Sequence, residues 1–102
     1  MSNEEILHEL QAIKKILTLS NSAFLDEYLS NVITTNARRK IWININGVNR
    51  QNELADIGEV SQPAVSGFLD ILKMAGLIEY DSQNPPRRIL DHIPASWLEE
   101  FG

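Results

Sequence analysis

The chain has 102 residues, 43% of them apolar and 23% charged, and no cysteine. That is one domain's length with an ordinary globular composition, which excludes disordered and fibrous classes and leaves no room for a catalytic domain beside a regulatory one. Nine bases against fourteen acids give a net charge of −5, which weighs against a nucleic-acid partner because phosphate neutralisation dominates such affinity. The missing cysteines exclude disulfides, thiolate metal centres and thiol chemistry, and suit a reducing cytoplasm. No apolar run reaches bilayer length, and the acidic start is unlike a secretory signal. The charge is uneven. Residues 1–30 hold five acids and two bases, whereas residues 31–102 hold nine acids and seven bases, clustered at Arg38-Arg39-Lys40, Arg50, Lys73 and Arg87-Arg88. An acidic protein can therefore still present one positive face.

Residues 3–19 read as an amphipathic helix. Ile6, Leu10, Ile13 and Leu17 are spaced 4-3-4, widened by Leu7 and Ile16, with Glu5, Glu9, Lys14 and Lys15 opposite. Ser2 or Asn3 can cap it, and Glu4 and Glu5 suit its first turn. Two heptads are too short to stand alone, so the stripe must pack on this chain's own core or on a partner subunit. After Ser20-Asn21-Ser22, a second helix runs over 23–33 through Phe24, Leu25, Tyr28, Leu29, Val32 and Ile33. Residues 37–46 fit both periods, since Ile41, Ile43 and Ile45 alternate like a strand while Ala37, Ile41, Trp42 and Ile45 share a helical face. Helix is expected, ending at Asn46-Gly47.

A short helix follows over 50–57 with Leu54, Ala55 and Ile57, closed by Gly58. Ser61 is then a natural N-cap with Pro63 in the first turn, and Val65, Phe68, Leu69 and Leu72 mark one buried face of a helix that Gly76 ends. Residues 77–80 read as a strand, 81–86 as a polar, proline-rich turn, and 88–90 as the returning strand. A closing helix over 94–101 should turn Trp97, Leu98 and Phe101 inward. No repeat, linker or low-complexity tract interrupts the chain.

The order helix, tight turn, helix, strand pair resembles a winged helix-turn-helix, and residues 52–79 (NELADIGEVSQPAVSGFLDILKMAGLIE) resemble the DNA-binding segment of ArsR- and MarR-type regulators. Leu54-Ala55 fits the first helix, Val60-Ser61-Gln62-Pro63 the turn, Val65-Ser66 the recognition helix, and Ala75-Gly76-Leu77-Ile78-Glu79 the exit into the wing. Two places depart from that pattern. The inter-helix turn carries Gly58-Glu59 where an apolar residue and then glycine are usual, and Gly67-Phe68 stand where arginine or lysine and then histidine are frequent.

The resemblance implies a mainly α, α+β winged-helix fold, with a three-helix core and a two-stranded wing over residues 35–102. Residues 1–34 carry no assignable motif and are expected to form a preceding helical segment for dimerisation. It further implies a transcriptional regulator, cytoplasmic and nucleoid-associated, that binds double-stranded DNA as a homodimer. In that frame helix 61–75 enters the major groove and wing 81–88 grips phosphate. Gln62 suits adenine, Ser61 and Ser66 suit phosphate or base, and Pro63 or Ala64 suits a thymine methyl. Arg87 and Arg88 should project from the stiff Pro85-Pro86 corner. Arg50 and Gln51 open the first helix, where free N–H groups face anions, and Lys73 is the recognition helix's one cation. Ile6, Leu10, Ile13 and Leu17 are the expected dimer seam. Arg38-Arg39-Lys40 reads as a solvated helix face, and Phe68, Trp42 and Trp97 as core.

Enzymatic readings fare poorly. His8 and His92 stand alone, no nucleophile elbow or glycine-rich phosphate loop occurs, and Asp26-Glu27 and Glu99-Glu100 point to different helix faces. Neither a metal nor a cofactor is expected. A second function class stays open: winged helices also serve as protein-interaction modules, and a net charge of −5 with a nearly neutral recognition helix suits a protein partner. An architectural DNA-coating role lacks the usual basic excess.

Overall fold

The computed structural model describes residues 2–102, with the side chains of residues 14–20 outside the described set. Six helices and one antiparallel strand pair follow in the order α1 (Asn3–Ser20), α2 (Ser22–Val32), α3 (Asn36–Ile43), α4 (Gln51–Gly58), α5 (Gln62–Met74), β1 (Ile78–Glu79), β2 (Arg87–Arg88) and α6 (Ala95–Phe101). The protein is thus mainly helical with a small two-stranded sheet, and no described helix is long and apolar enough to cross a membrane.

α3, α4 and α5 pack in sequence, α6 closes against α3, and β1 lies against α5. Their inward faces form one core from Ile41, Trp42, Ile45, Leu54, Ala55, Val65, Phe68, Leu69, Leu72, Leu77, Ile78 and Trp97, joined by Leu29 and Ile33 at the end of α2. Among the described residues, no polar or charged residue is buried in it. The i, i+3, i+4, i+7 spacing on α5 predicts its buried face, and Val65, Phe68, Leu69 and Leu72 are all essentially inaccessible. Leu98 differs from expectation: on the seven-residue α6 it faces outward at 47% exposure, and Trp97 alone is fully buried there.

Local chemistry sets the helix ends. Ser2 and Glu5 make a reciprocal pair at the start of α1, Glu5 N–H donating to Ser2 Oγ (3.2 Å) and Ser2 N–H to the Glu5 carboxylate (3.3 Å). Thr35 Oγ1 accepts from Arg38 N–H at α3, and Ser61 Oγ from Ala64 N–H at α5. α3 stops three residues before the expected Asn46. Asn44 Nδ2 turns back onto Lys40 O (2.8 Å), and Asn46 Oδ1 accepts from Val48 and Asn49 N–H (3.0 and 3.2 Å), so side chains replace the helical ladder there. Asn46 instead bridges to Arg87 as a third extended segment beside β2. The helical spacing of Ile41, Trp42 and Ile45 governs the segment, and all three are buried.

The α4–α5 turn explains the displaced glycine. A Cβ at residue 58 would lie 2.8 Å from Ile41 Cδ1 and 2.9 Å from Ile41 Cγ1, so Gly58 permits the close approach of α4 to α3. The left-handed position falls on the next residue, Glu59 (φ 55°, ψ 44°). Val60 N–H then donates to Ala55 O (3.0 Å), a closure of the Schellman type. At the end of α5 the same conformation is taken by Gly76 (φ 75°).

β1 and β2 pair in the register Ile78 with Arg88 and Glu79 with Arg87, so the returning strand starts one residue earlier than its apolar pattern suggests. Between them Asp81 Oδ1 accepts the N–H groups of Gln83 and Asn84, each at 2.8 Å. His92 links this end to the N-terminal segment. Its Nε2 meets Asp26 Oδ1 of α2 at 2.6 Å, while its carbonyl accepts from the Trp42 indole (3.0 Å).

α1 is different. Ile6, Leu7, Leu10 and Ile13 are 43–58% exposed, so these four positions do not cover the chain's own core. The Leu17 side chain, the fourth position of the seam, lies outside the described residues.

Candidate functional site

The first turns of α4 and α5 and the β1–β2 hairpin are brought to one side of the core and enclose a polar groove of about 460 Å³. Arg50, Gln51, Asn52 and Gln62 form its helical wall; Tyr80, Asp81, Ser82, Asn84, Pro85 and Pro86 form the other. Pro86 is fully buried and anchors the hairpin, and Gly47 N–H donates to its carbonyl (2.9 Å).

Gln51 is the cross-brace of this groove. Its Nε2 donates to Gln62 O (3.0 Å), and its Oε1 accepts from the Tyr80 hydroxyl (3.0 Å). One side chain thus ties the start of α4, the start of α5 and the base of the hairpin together. Its amide is used inside the protein, and its role becomes positioning rather than contact. Arg50 is exposed beside it, with its backbone N–H held by Glu53 Oε1 (3.0 Å).

Ser61, Gln62, Pro63 and Ala64 are all exposed in the first turn of α5. Ser66 is half-buried one turn on, and Gly67 is open, with nothing within 4 Å of where a Cβ would stand. Lys73 is exposed at the opposite end of the helix, about 16 Å along the axis from Gln62.

The two hairpin arginines part company. Arg87 is exposed and lies across Gly47, its Nε 3.1 Å from where a Cβ would stand, in a second polar recess with Glu79, Tyr80 and Asp81. It therefore sits beside the groove rather than in its wall. Arg88 turns inward, correcting the expectation that both guanidinium groups project. Its Nη1 donates to Trp42 O (2.7 Å) and Ile43 O (2.9 Å), its Nη2 meets Asp91 Oδ1 (3.4 Å), and the group lies over the Trp42 ring. A strand alternates its side chains between two faces, and the orphan carbonyls at the end of α3 take the one that faces in.

Arg38, Arg39 and Lys40 also differ from a solvated run. They are half-buried, with Arg38 5.1 Å above Phe68, Arg39 5.0 Å above Trp97 and Lys40 5.7 Å above Phe101. Their cationic groups lie over aromatic rings, and Arg39 Nε also donates to Ile33 O (3.1 Å).

The groove itself holds one carboxylate. Two backbone N–H groups, from Gln83 and then Asn84, together with the Asn84 side chain and the charge of Lys73, hold Asp81 below the ordinary carboxyl range. Asn52, Ser82 and Asn84 line the groove and were missed by sequence reasoning. Asn52 follows Arg50-Gln51 in the same helical turn, which is signal enough; for Ser82 and Asn84, membership of the groove depends on how the hairpin folds. Among the described residues no three His, Asp or Glu side chains converge as a metal site would require. No protein-family model matches the chain, and neither a curated protein nor a solved structure matches it.

Proposed function

We propose that α3–α5 and the hairpin form a winged helix-turn-helix and that the protein is a DNA-binding transcriptional regulator, working in the cytoplasm as a homodimer. α5 is the recognition helix and the β1–β2 hairpin the wing. One observation carries the reading: the first turn of α4 with Gln62 of α5 on one side, and the hairpin loop on the other, line a single polar groove braced by Gln51, beside the exposed first turn of α5. A duplex laid across the outer rim of this surface, over the groove rather than in it, would bring base edges to Gln62, Pro63, Ala64 and Ser66 while phosphates meet Arg50, Asn52, Ser61 and Arg87. Arg88 and Gln51 support this surface from beneath. Among the described residues the exposed cations are Arg50, Lys73 and Arg87, so two copies are needed for useful affinity at physiological salt.

The test is titration of labelled duplex at several salt concentrations. Arg50→Ala combined with Arg87→Ala weakens binding to every sequence, by about tenfold at low salt, and flattens the log–log salt slope by about two. Gln62→Ala instead changes base preference at one position, by about 1–3 kcal/mol. Unchanged binding by the double variant would remove both arginines from the interface.

A second reading has its own support. α5 exposes Ile71 at 46% and Met74 at 90%, and Lys73 is its single cation, a surface that also suits a protein partner. Retention on nonspecific DNA at low salt, lost near physiological salt, favours the regulator. Absence of retention together with a co-purifying protein favours the interaction module.

A further inference from the structure

We infer that α1 pairs with the α1 of a second copy of this chain in antiparallel orientation, centred between Gln11 and Ala12. The inference sharpens the homodimer clause above and needs no DNA.

Among the described residues the apolar stripe has no cover within one chain: Ile6, Leu7, Leu10 and Ile13 are exposed, and α1 packs against α2. In the sequence the stripe occupies positions 6, 7, 10, 13, 16 and 17. Turning one helix end for end about its centre maps position 6 onto 17, 7 onto 16 and 10 onto 13, so the set reproduces itself. A self-complementary contact of this kind closes with two-fold symmetry.

The apolar spacing alone would equally allow a parallel pair, and the charge decides. Glu4, Glu5 and Glu9 occupy the first half of α1, Lys14 and Lys15 the second. A parallel pair sets three carboxylates alongside three and two ammonium groups alongside two. An antiparallel pair sets the acidic half of each helix alongside the basic half of the other and opposes the two helix dipoles.

The absence of cysteine makes the test clean. Ile6→Cys and Leu17→Cys are made separately in the full chain and oxidised mildly, alone and mixed, with Trp42 and Trp97 fluorescence checking that the core is intact. A disulfide needs Cβ atoms about 4 Å apart. In the antiparallel pair residue 6 faces residue 17, while the two residues 6 lie about 16 Å apart along the axis. Cross-linked dimer should form in the mixture and not in either variant alone. In parallel, sedimentation of Leu10→Glu should show dimerisation weakened by about thirtyfold or more. Efficient cross-linking of Ile6→Cys to itself, a dimer that the mixture fails to trap, or a wild-type monomer at high concentration would each overturn the inference. A monomer that still binds DNA overturns this pairing and leaves the regulator reading standing. A cross-linked antiparallel dimer that ignores DNA does the reverse.

Discussion

α1 and α5 are both amphipathic helices with unambiguous apolar stripes, yet they end in opposite situations. α5 sinks Val65, Phe68, Leu69 and Leu72 into the core and offers its first turn to a groove. α1 leaves Ile6, Leu10 and Ile13 in water. Periodicity tells which residues share a face; it carries no information about what covers that face. Coverage depends on the surrounding topology, and α1 lies outside the α3–α6 assembly.

The largest expected effect breaks the comparison directly. Phe68→Ala empties a fully buried site under the Arg38 guanidinium and should cost about 3–5 kcal/mol in denaturant unfolding. Leu10→Ala, on the exposed stripe, should change the unfolding of the monomer by no more than about 0.5 kcal/mol. Equal losses would mean that α1 is packed into the core.

The same contrast runs between two adjacent residues. Arg88→Ala strips the Trp42 and Ile43 carbonyls of their donors and should cost on the order of 2 kcal/mol. Arg87→Ala, exposed over Gly47, should leave unfolding within about 0.5 kcal/mol of wild type while weakening DNA binding. If Arg87→Ala were the more destabilising, the inward and outward assignments would be reversed.

The smallest effect concerns the groove's carboxylate. Because folding lowers the Asp81 pKa, its contribution to holding the hairpin loop is complete above the ordinary value of 3.8 and is lost as pH falls through the depressed folded value. The amide resonances of Gln83 and Asn84 should therefore titrate with a midpoint below 3.8. A midpoint at or above that value would show the turn to be open in solution.

Most of the architecture was legible in the chain. The cap at Ser61, the buried face of α5 and the hairpin each follow from side-chain chemistry within a few residues. Other features needed contacts distant in sequence. Arg88 reaches carbonyls 45 and 46 positions away, and Gln51 is claimed by Tyr80, 29 positions on. Gly58 answers to Ile41 rather than to its own turn. The candidate site was half legible for the same reason: the first turn of α5 is a local signal, whereas the opposite wall depends on how the hairpin folds back.

The account depends most on the first turn of α5 and the hairpin touching one duplex together. Selection of bound sequences from random DNA with the intact protein tests it most directly. Enrichment of an inverted repeat, lost with Gln62→Ala at specific positions, is the result predicted. No enrichment, with no salt-dependent binding to the starting pool, would contradict it.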